Sequence, residues 1–216
     1  FVIFPEVQKL YAERRIELEK IVAKRKAEQF AWEKENPEKA ILLHQYFSGK
    51  VPDIDYKSIV HKPDVATRVA SSDVLGVFGE QIGNMIVSSA DLANSDKTDG
   101  FLKKTHAFIN GDFTGAFLQA GVSELTMAAI MNGMALHGGI IPACGTFFVF
   151  SDYMKPAVRL AALMEVPVKY VWTHDAFRVG EDGPTHQPVE QEVQIRLLEQ
   201  LKNHHGRNSV LVLRPA

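Results

Sequence analysis

From Asp64 onward, short apolar runs alternate with longer segments of helical period, and few folds accept that alternation. Residues 85–88, 106–110, 140–146, 166–172 and 209–213 read as five strands. Residues 71–82, 124–137, 152–164 and 189–203 read as helices, with Pro156 in the first turn of the third. Residues 93–100 read as a polar loop and 111–121 as a connection. Helices set between short β-runs imply a three-layer α/β/α domain with a mostly parallel sheet covered on both faces. In such sheets ligands bind beyond the carboxyl ends of the strands. That directs attention to residues 145–188, where an aromatic run, an amphipathic segment and a strand lead into a Gly-rich polar loop.

Residues 1–63 have a different character. The segment 6–35 is dense in charge, and its apolar residues, among them Leu10, Tyr11, Ile21, Val22 and Phe30, fit a surface helix with one apolar stripe. Asn36 is placed to cap a second helix with Pro37 at its first position, and 49–55 breaks it. Acidic residues interleave with Arg14, Arg15, Lys24, Arg25 and Lys26, as on a solvated face rather than a nucleic-acid-binding helix. The expected organisation is a helical interdomain arm at 1–63 and an α/β domain at 64–216. The chain has no initiator Met, and the run 209–213 passes straight into Arg214, so a fragment of a longer enzyme is expected.

Charge excludes some classes of function. The chain carries 24 Lys and Arg against 26 Asp and Glu, a net charge of −2, which offers no basic face to nucleic acid. No apolar run approaches a membrane span. One cysteine, Cys144, excludes an internal disulfide, and a reducing, cytoplasmic compartment is the default. No G-x-G-x-x-G follows a strand and no Walker A sequence is present, so neither dinucleotide-binding nor P-loop chemistry is indicated.

Several residues could carry chemistry. Glu124 is nearly the only charge between Asp112 and Asp152. A lone carboxylate among apolar groups is expensive to ionise, and one held partly protonated can give or take a proton at neutral pH. A helix-start glutamate that merely supports the first turn is the equally weighted alternative. Phe147, Phe150 and Tyr153 are three apart. They share a surface only if the chain turns from strand to helix there, and the surface could then hold a flat aromatic ligand; ordinary core packing is the plainer alternative. The loop 174–188 offers His174, Asp175, Glu181, Asp182 and His186, suited either to a metal or to sugar hydroxyls and phosphates; a solvated loop is the alternative, but five polar candidates are more than a connector needs. Arg68 and Arg214 lie at element junctions, and arginine's planar fork suits phosphate, although a plain surface arginine is the better reading of each taken singly.

The stretch GTFFVFSDYMKPAVRLAALMEVPVKYVWTHDAFRVGEDGPTHQPVE resembles transketolase, as do GVSELTMAAIMNGMALHGG, SSADLANS, ATR and the terminal LRPA, in the family's order. GEDGPTHQP is the most specific of these. The resemblance runs from about Asp64 to the end, and residues 1–63 resemble the linker preceding this region. It implies the central, pyrimidine-binding domain of a homodimeric enzyme of the pentose phosphate pathway. Such enzymes use thiamine diphosphate and a divalent cation, Mg2+ or Ca2+, to move a two-carbon ketol unit between sugar phosphates. The diphosphate and the metal belong to a preceding domain.

The resemblance also implies roles. Glu124 matches the glutamate that bonds the pyrimidine ring nitrogen and favours its imino tautomer. Phe147, Phe150 and Tyr153 match the aromatic pocket around that ring, and Asp91 the aspartate near the thiazolium. His174 and His186 match substrate-contacting histidines counted with Glu124 as catalytic, and Asp182 the aspartate that reads a sugar hydroxyl. Arg68, Ser95, Arg214 and His186 match the phosphate clamp. The sequence departs from the family at Ser123 and Leu125, at Ala176-Phe177-Arg178, at the missing Pro before Ser95, and at 202–208. A dihydroxyacetone synthase, a deoxyxylulose-phosphate synthase and a non-catalytic dimerisation module remain alternatives.

Overall fold

The computed structural model describes residues 2–175, 179–180 and 182–214. The chain divides into two compact units, residues 1–48 and 49–216. The first is a pair of helices, α1 (Pro5–Glu35) and α2 (Pro37–Phe47). Helix α1 buries no residue and carries i,i+4 ion pairs such as Arg15–Glu19, the pattern of a solvated helix. Pro37 opens α2 as expected, but Asn36 does not cap it. Only one residue separates the helices, and the Asn36 amide turns back to donate to the Trp32 carbonyl of α1 at 3.0 Å.

The second unit is built on a four-stranded, all-parallel sheet in the order β2-β1-β3-β4. The strands are β1 (Met85–Ser89), β2 (Phe117–Gln119), β3 (Ile141–Phe147) and β4 (Lys169–Thr173). The helices are α3 (Thr67–Gln81), the short α4 (Ala93–Asp96) and α5 (Asp99–Leu102), α6 (Glu124–His137), α7 (Ser151–Met164) and α8 (Gln191–Leu198). One face of the sheet packs Met85, Val87 and Ala143 on Leu75 of α3 and Phe101 of α5. The other packs Cys144 on Met127 and Met131 of α6 and on Met154 and Val158 of α7. Burial of each such Met, Phe or Val contributes roughly 1.5–3 kcal/mol. The three-layer α/β/α class read from the sequence is the observed one.

Helix α7 shows how local sequence sets an element. Met154, Ala157, Val158, Ala161 and Ala162 are its buried face, at the spacing of one helical stripe. It ends in a Schellman motif: Glu165 takes the left-handed conformation (φ 57°), its N–H donates to Ala162, and the N–H of Val166 donates to Ala161. Pro156 lies in the second turn rather than the first, where it withholds an N–H from the Asp152 carbonyl.

Other expectations are corrected. Residues 106–110 are not a strand. Phe117 enters the core with no exposure and takes the place beside β1, while Ile109 turns back to pair with Asp112. The segment 111–121, read as a connection, therefore holds β2, and 93–100, read as a loop, holds α4 and the start of α5. Strand β4 starts at Lys169, since Pro167 has no N–H for a ladder. Helix α3 starts a turn early, placing Arg68 in its first turn. Helix α8 is shorter at both ends than 189–203. Residues 209–213 form no strand, because side chains engage their backbone: the Val212 N–H donates to the Glu199 carboxylate at 2.8 Å, and Arg196 donates to the Val212 carbonyl at 3.4 Å.

Candidate active site

A parallel sheet delivers every strand to the same edge. Asp91 and Ser95 follow β1, and Glu124 follows β2. Phe147 closes β3, with Phe150 and Tyr153 just beyond it. His174, Asp182 and His186 follow β4. The strand order sets these groups in the sequence Glu124, Asp91, aromatic set, His174. The topological switch point, where β1 leads to one side and β3 to the other, lies between Asp91 and the aromatic set.

The turn after β1 is held from beneath. Asp91 is left-handed (φ 64°) and exposed. The Ser89 hydroxyl accepts the Leu92 N–H at 3.2 Å and donates to Asp96 Oδ2 at 2.6 Å. Asp96 Oδ1 accepts the Thr98 N–H at 2.9 Å and its hydroxyl at 2.7 Å. Burial pushes the Asp96 carboxyl up, and these donors oppose the shift. Across the switch point, β3 must carry glycine: a Cβ on Gly145 would meet Thr98 Cγ2 at 2.6 Å and Asp96 Oδ2 at 3.2 Å.

Glu124 is the first residue of α6 and is 8% exposed. The Ser123 hydroxyl donates to the Ala120 carbonyl rather than capping the helix. The Glu124 carboxylate makes no hydrogen bond or ion pair with a described residue; nor does Asp91.

The aromatic set does turn from strand to helix. A 3-10 turn, Phe148–Phe150, swings the chain from β3 into α7. Phe147 and Phe150 stack at 5.9 Å between centroids and 9° between planes, and Phe150 and Tyr153 at 6.2 Å and 27°. Phe147 is buried at 6% exposure, as core packing would have it, Phe150 is half-buried and Tyr153 is exposed. The array continues into both histidines. His174 stacks on Phe147 at 3.6 Å, and His186 meets Phe150 edge-on at 5.3 Å.

His174 is the most constrained of these groups. Its backbone is left-handed (φ 56°), an uncommon state for a residue with a Cβ. Its Nε2 lies 2.6 Å from Arg68 Nη1 and its Nδ1 2.9 Å from the Thr173 hydroxyl. Burial and the Arg68 charge hold its ring below the usual histidine range, against the pull of Asp182 and Asp175. Arg68 also reaches the Ser95 carbonyl at 3.5 Å. A cleft of about 740 Å³ is lined by Arg68, Thr173, His174, Asp182 and Arg214. Arg214 is aimed by two carboxylates: its Nε donates to Asp175 at 3.1 Å and its Nη1 lies 3.4 Å from Glu192.

Sequence reasoning missed Thr173, Asp175 and Glu192 as the supports of His174 and Arg214, and Asp96 beneath Asp91. Only Glu192 left a signal, an i,i+4 pair with Arg196 on α8. Among the described residues no cluster of three or more His, Cys, Asp or Glu is placed to hold a metal ion. Glu181, residues 176–178 and the last two residues of LRPA lie outside the described residues.

The family model for the transketolase pyrimidine binding domain matches residues 63–216. The chain belongs to the transketolase pyrimidine-binding domain family. It is 41% identical to a transketolase of Geobacillus stearothermophilus over 216 residues, which covers 97% of this chain and 31% of that protein. A Bacillus subtilis transketolase is 47% identical over 177 residues, covering 80% of this chain and 26% of that one. Among solved structures, a Leishmania mexicana transketolase superposes with a TM-score of 0.80 at 34% identity, over 91% of this chain and 29% of that one. A Pichia stipitis transketolase in complex with sedoheptulose 7-phosphate gives 0.78 at 36% identity, over 90% and 30%. The chain thus spans about a third of the length of the transketolases it resembles. The candidate site positions named from the sequence all lie at one edge of the sheet, apart from Arg68 at the start of α3 and Arg214 beyond α8, and both of these line the same cleft.

Proposed function

We propose that this chain is the pyrimidine-binding domain of a transketolase, which moves a two-carbon ketol unit between sugar phosphates. The observation that carries the reading is the edge of the sheet. Parallel topology collects there a buried carboxylate without a partner among the described residues, a stacked aromatic wall and His174, and Arg68 and Arg214 line the cleft beside them.

The donor set fits the pyrimidine end of thiamine diphosphate. When bound, that cofactor supplies the carbanion chemistry that a protein side chain cannot. Phe150 and Tyr153, with the buried Phe147 stacked against Phe150, would wall a flat heterocycle, and Glu124 would offer its carboxylate to a ring nitrogen, to hold a proton there. Asp91, on its anchored turn, would serve the cofactor's other ring. His174, His186 and Asp182 orient the sugar's hydroxyls, and Arg68, Ser95 and Arg214 hold its phosphate. Binding at that remote anchor positions the reacting carbons. The divalent cation, Mg2+ or Ca2+, and the diphosphate fall to a part of the enzyme outside this chain, for which residues 1–63 serve as an interdomain arm. A cytoplasmic enzyme is the accompanying expectation.

Homodimerisation is part of this reading. The outward face of α6 carries Leu125, Ala129, Ile130, Gly133 and Leu136, with Leu125 48% and Leu136 59% exposed. A Cβ on Gly133 would meet nothing within 4 Å, so nothing among the described residues requires glycine there. Small residues among leucines suit the close approach of a second copy.

The test is transfer from xylulose 5-phosphate to ribose 5-phosphate by the full-length enzyme. Sedoheptulose 7-phosphate is the expected product, and failure to transfer removes the transketolase reading in favour of another thiamine-dependent enzyme.

A further inference from the structure

The chain holds two Asn-Gly pairs, Asn110-Gly111 and Asn132-Gly133, and the fold treats them in opposite ways. An asparagine is open to attack on its own side-chain carbon by the backbone nitrogen of the next residue. Three things favour that attack: a follower without a side chain, a nitrogen not committed to a hydrogen bond, and a side-chain amide free to swing. Asn132 fails the last two. Its Nδ2 donates to the Ala157 carbonyl at 2.8 Å, its Oδ1 accepts from the Tyr170 hydroxyl at 2.5 Å, and the Gly133 N–H lies within the ladder of α6. Asn110 meets all three. It sits with Gly111 at the tip of an exposed turn, closed by two backbone bonds of 3.1 Å between Ile109 and Asp112. Gly111 has φ 88°, and a Cβ there would meet nothing within 4 Å. Among the described residues, neither the Gly111 N–H nor the Asn110 side chain has a hydrogen-bond partner.

The remaining asparagines are held. Asn36 precedes Pro37, which has no N–H. Met85, Ser95 and Ser209, which follow Asn84, Asn94 and Asn208, donate their N–H groups to Ile82, Leu92 and Leu201. Asn203 is pinned through both side-chain atoms, to Glu165 and to the His205 and Arg207 N–H groups. The exposed turn also has something to cover. The Phe108 N–H donates to the Phe117 carbonyl at 2.8 Å, and the Phe117 N–H donates to the His106 carbonyl at 3.2 Å. Strand β2 is an edge of the sheet. The turn thus closes a flap over edge groups that would otherwise be open to another chain.

We propose that Asn110 is a site of spontaneous deamidation, whose isoaspartyl product opens the turn beside β2. The Gly111 nitrogen gives up its proton to base and bonds to Asn110 Cγ. The Cγ–Nδ2 bond breaks, and Nδ2 takes up a proton and leaves as ammonia. Water then opens the five-membered imide. Opening at the side-chain carbonyl restores the main chain with an aspartyl residue. Opening at the main-chain carbonyl leaves Gly111 joined through Cγ, an isoaspartyl residue. Either product puts a carboxylate near Asp112 where a neutral amide stood. Only the isoaspartyl form adds a methylene to the backbone of this short turn, and the paired Ile109–Asp112 bonds then lose their register.

The experiment is peptide mapping by mass spectrometry of the full-length enzyme held at pH 8 in water labelled with heavy oxygen, both folded and in urea. Isoaspartyl-specific methylation is the second readout. In the folded enzyme, position 110 is expected to lose ammonia and gain a labelled oxygen while Asn132 stays an amide. In urea the two Asn-Gly pairs are expected to convert alike, because only the fold separates them. Gly111→Ala is expected to slow the folded reaction, since a Cβ crowds the attacking nitrogen. Asn110→Gln is expected to abolish it, since the longer side chain cannot close a five-membered ring. Hydrogen exchange at Ile109 and Asp112 is expected to quicken in the aged enzyme. It is expected to keep the parent's rate in Asn110→Asp, which adds the charge without the methylene. An Asn110 that persists in the folded enzyme while it converts in urea overturns the proposal, as does conversion of Asn132 in the folded enzyme at the rate of Asn110. Conversion at position 110 with unchanged exchange keeps the modification site and overturns the opened turn.

Discussion

Phe147 and His174 stack with their ring centroids 3.6 Å apart, and this contact joins the end of β3 to the end of β4. The aromatic wall and the polar cleft are therefore one surface. Replacing Phe147 by Leu keeps an apolar side chain of similar volume but removes the face that covers His174. The expected cost is about 1 kcal/mol in urea unfolding. The more telling change is a rise in the His174 titration midpoint toward 6.5, its ordinary value, as burial is relieved. An unmoved midpoint would mean that the stack does not shield the ring.

His174 gives the pH profile a definite sign. Its ring is harder to protonate folded than unfolded. Its contribution to stability is therefore full above the unfolded value near 6.5 and is lost as pH falls through the lower folded value. Unfolding free energies measured between pH 8 and pH 5 should fall less steeply in His174→Gln than in the parent. Parallel profiles would contradict the lowered midpoint.

Asp96 should act in the opposite direction. Burial raises its carboxyl, so its contribution is full below the unfolded carboxylate value and declines as pH rises through the folded one. Asp96→Asn can keep an acceptor toward Thr98 and carries no charge to bury. It is expected to stabilise the chain at pH 8 relative to its effect at pH 5. Asp96→Ala, which strands Ser89 and Thr98, is expected to destabilise by roughly 1–3 kcal/mol. Urea unfolding of both variants at pH 5 and pH 8 separates the charge from the hydrogen bonds.

The apolar face of α6 makes a prediction about assembly. Glu placed at Leu125 and at Ile130 leaves the buried stripe of Met127, Ala128 and Met131 untouched. Sedimentation of the full-length enzyme should show a dimer that the double substitution converts to monomer with its helix content intact. A dimer unaffected by both charges would place the interface elsewhere.

Helix α6, strand β3 and the aromatic turn were legible from the sequence because each has one dominant local signal. Glu124–His137 is apolar between Ser123 and the glycines Gly138 and Gly139, and the three-residue spacing of the rings allows a single surface only at a strand-to-helix turn. Strand β2 was not legible. Three residues beginning with Phe117 carry no period, and what makes them a strand is the pocket that Phe117 fills, a tertiary effect. The run 209–213 failed for the converse reason, since β-propensity was overruled by Glu199 and Arg196 taking its backbone. In the site, residue types were legible but their contacts were not. Arg68 reads as a phosphate ligand in sequence, and only the fold brings it onto His174, 106 positions away.

The most direct test of the account is ketol transfer by full-length enzyme carrying Glu124→Ala, assayed with xylulose 5-phosphate and ribose 5-phosphate at saturating thiamine diphosphate. A carboxylate that holds a proton on the cofactor ring is expected to be worth about 100-fold or more in kcat, with the fold unchanged by circular dichroism. Turnover equal to that of the parent enzyme would contradict the role given to Glu124, and with it the claim that this edge of the sheet is half of an active site.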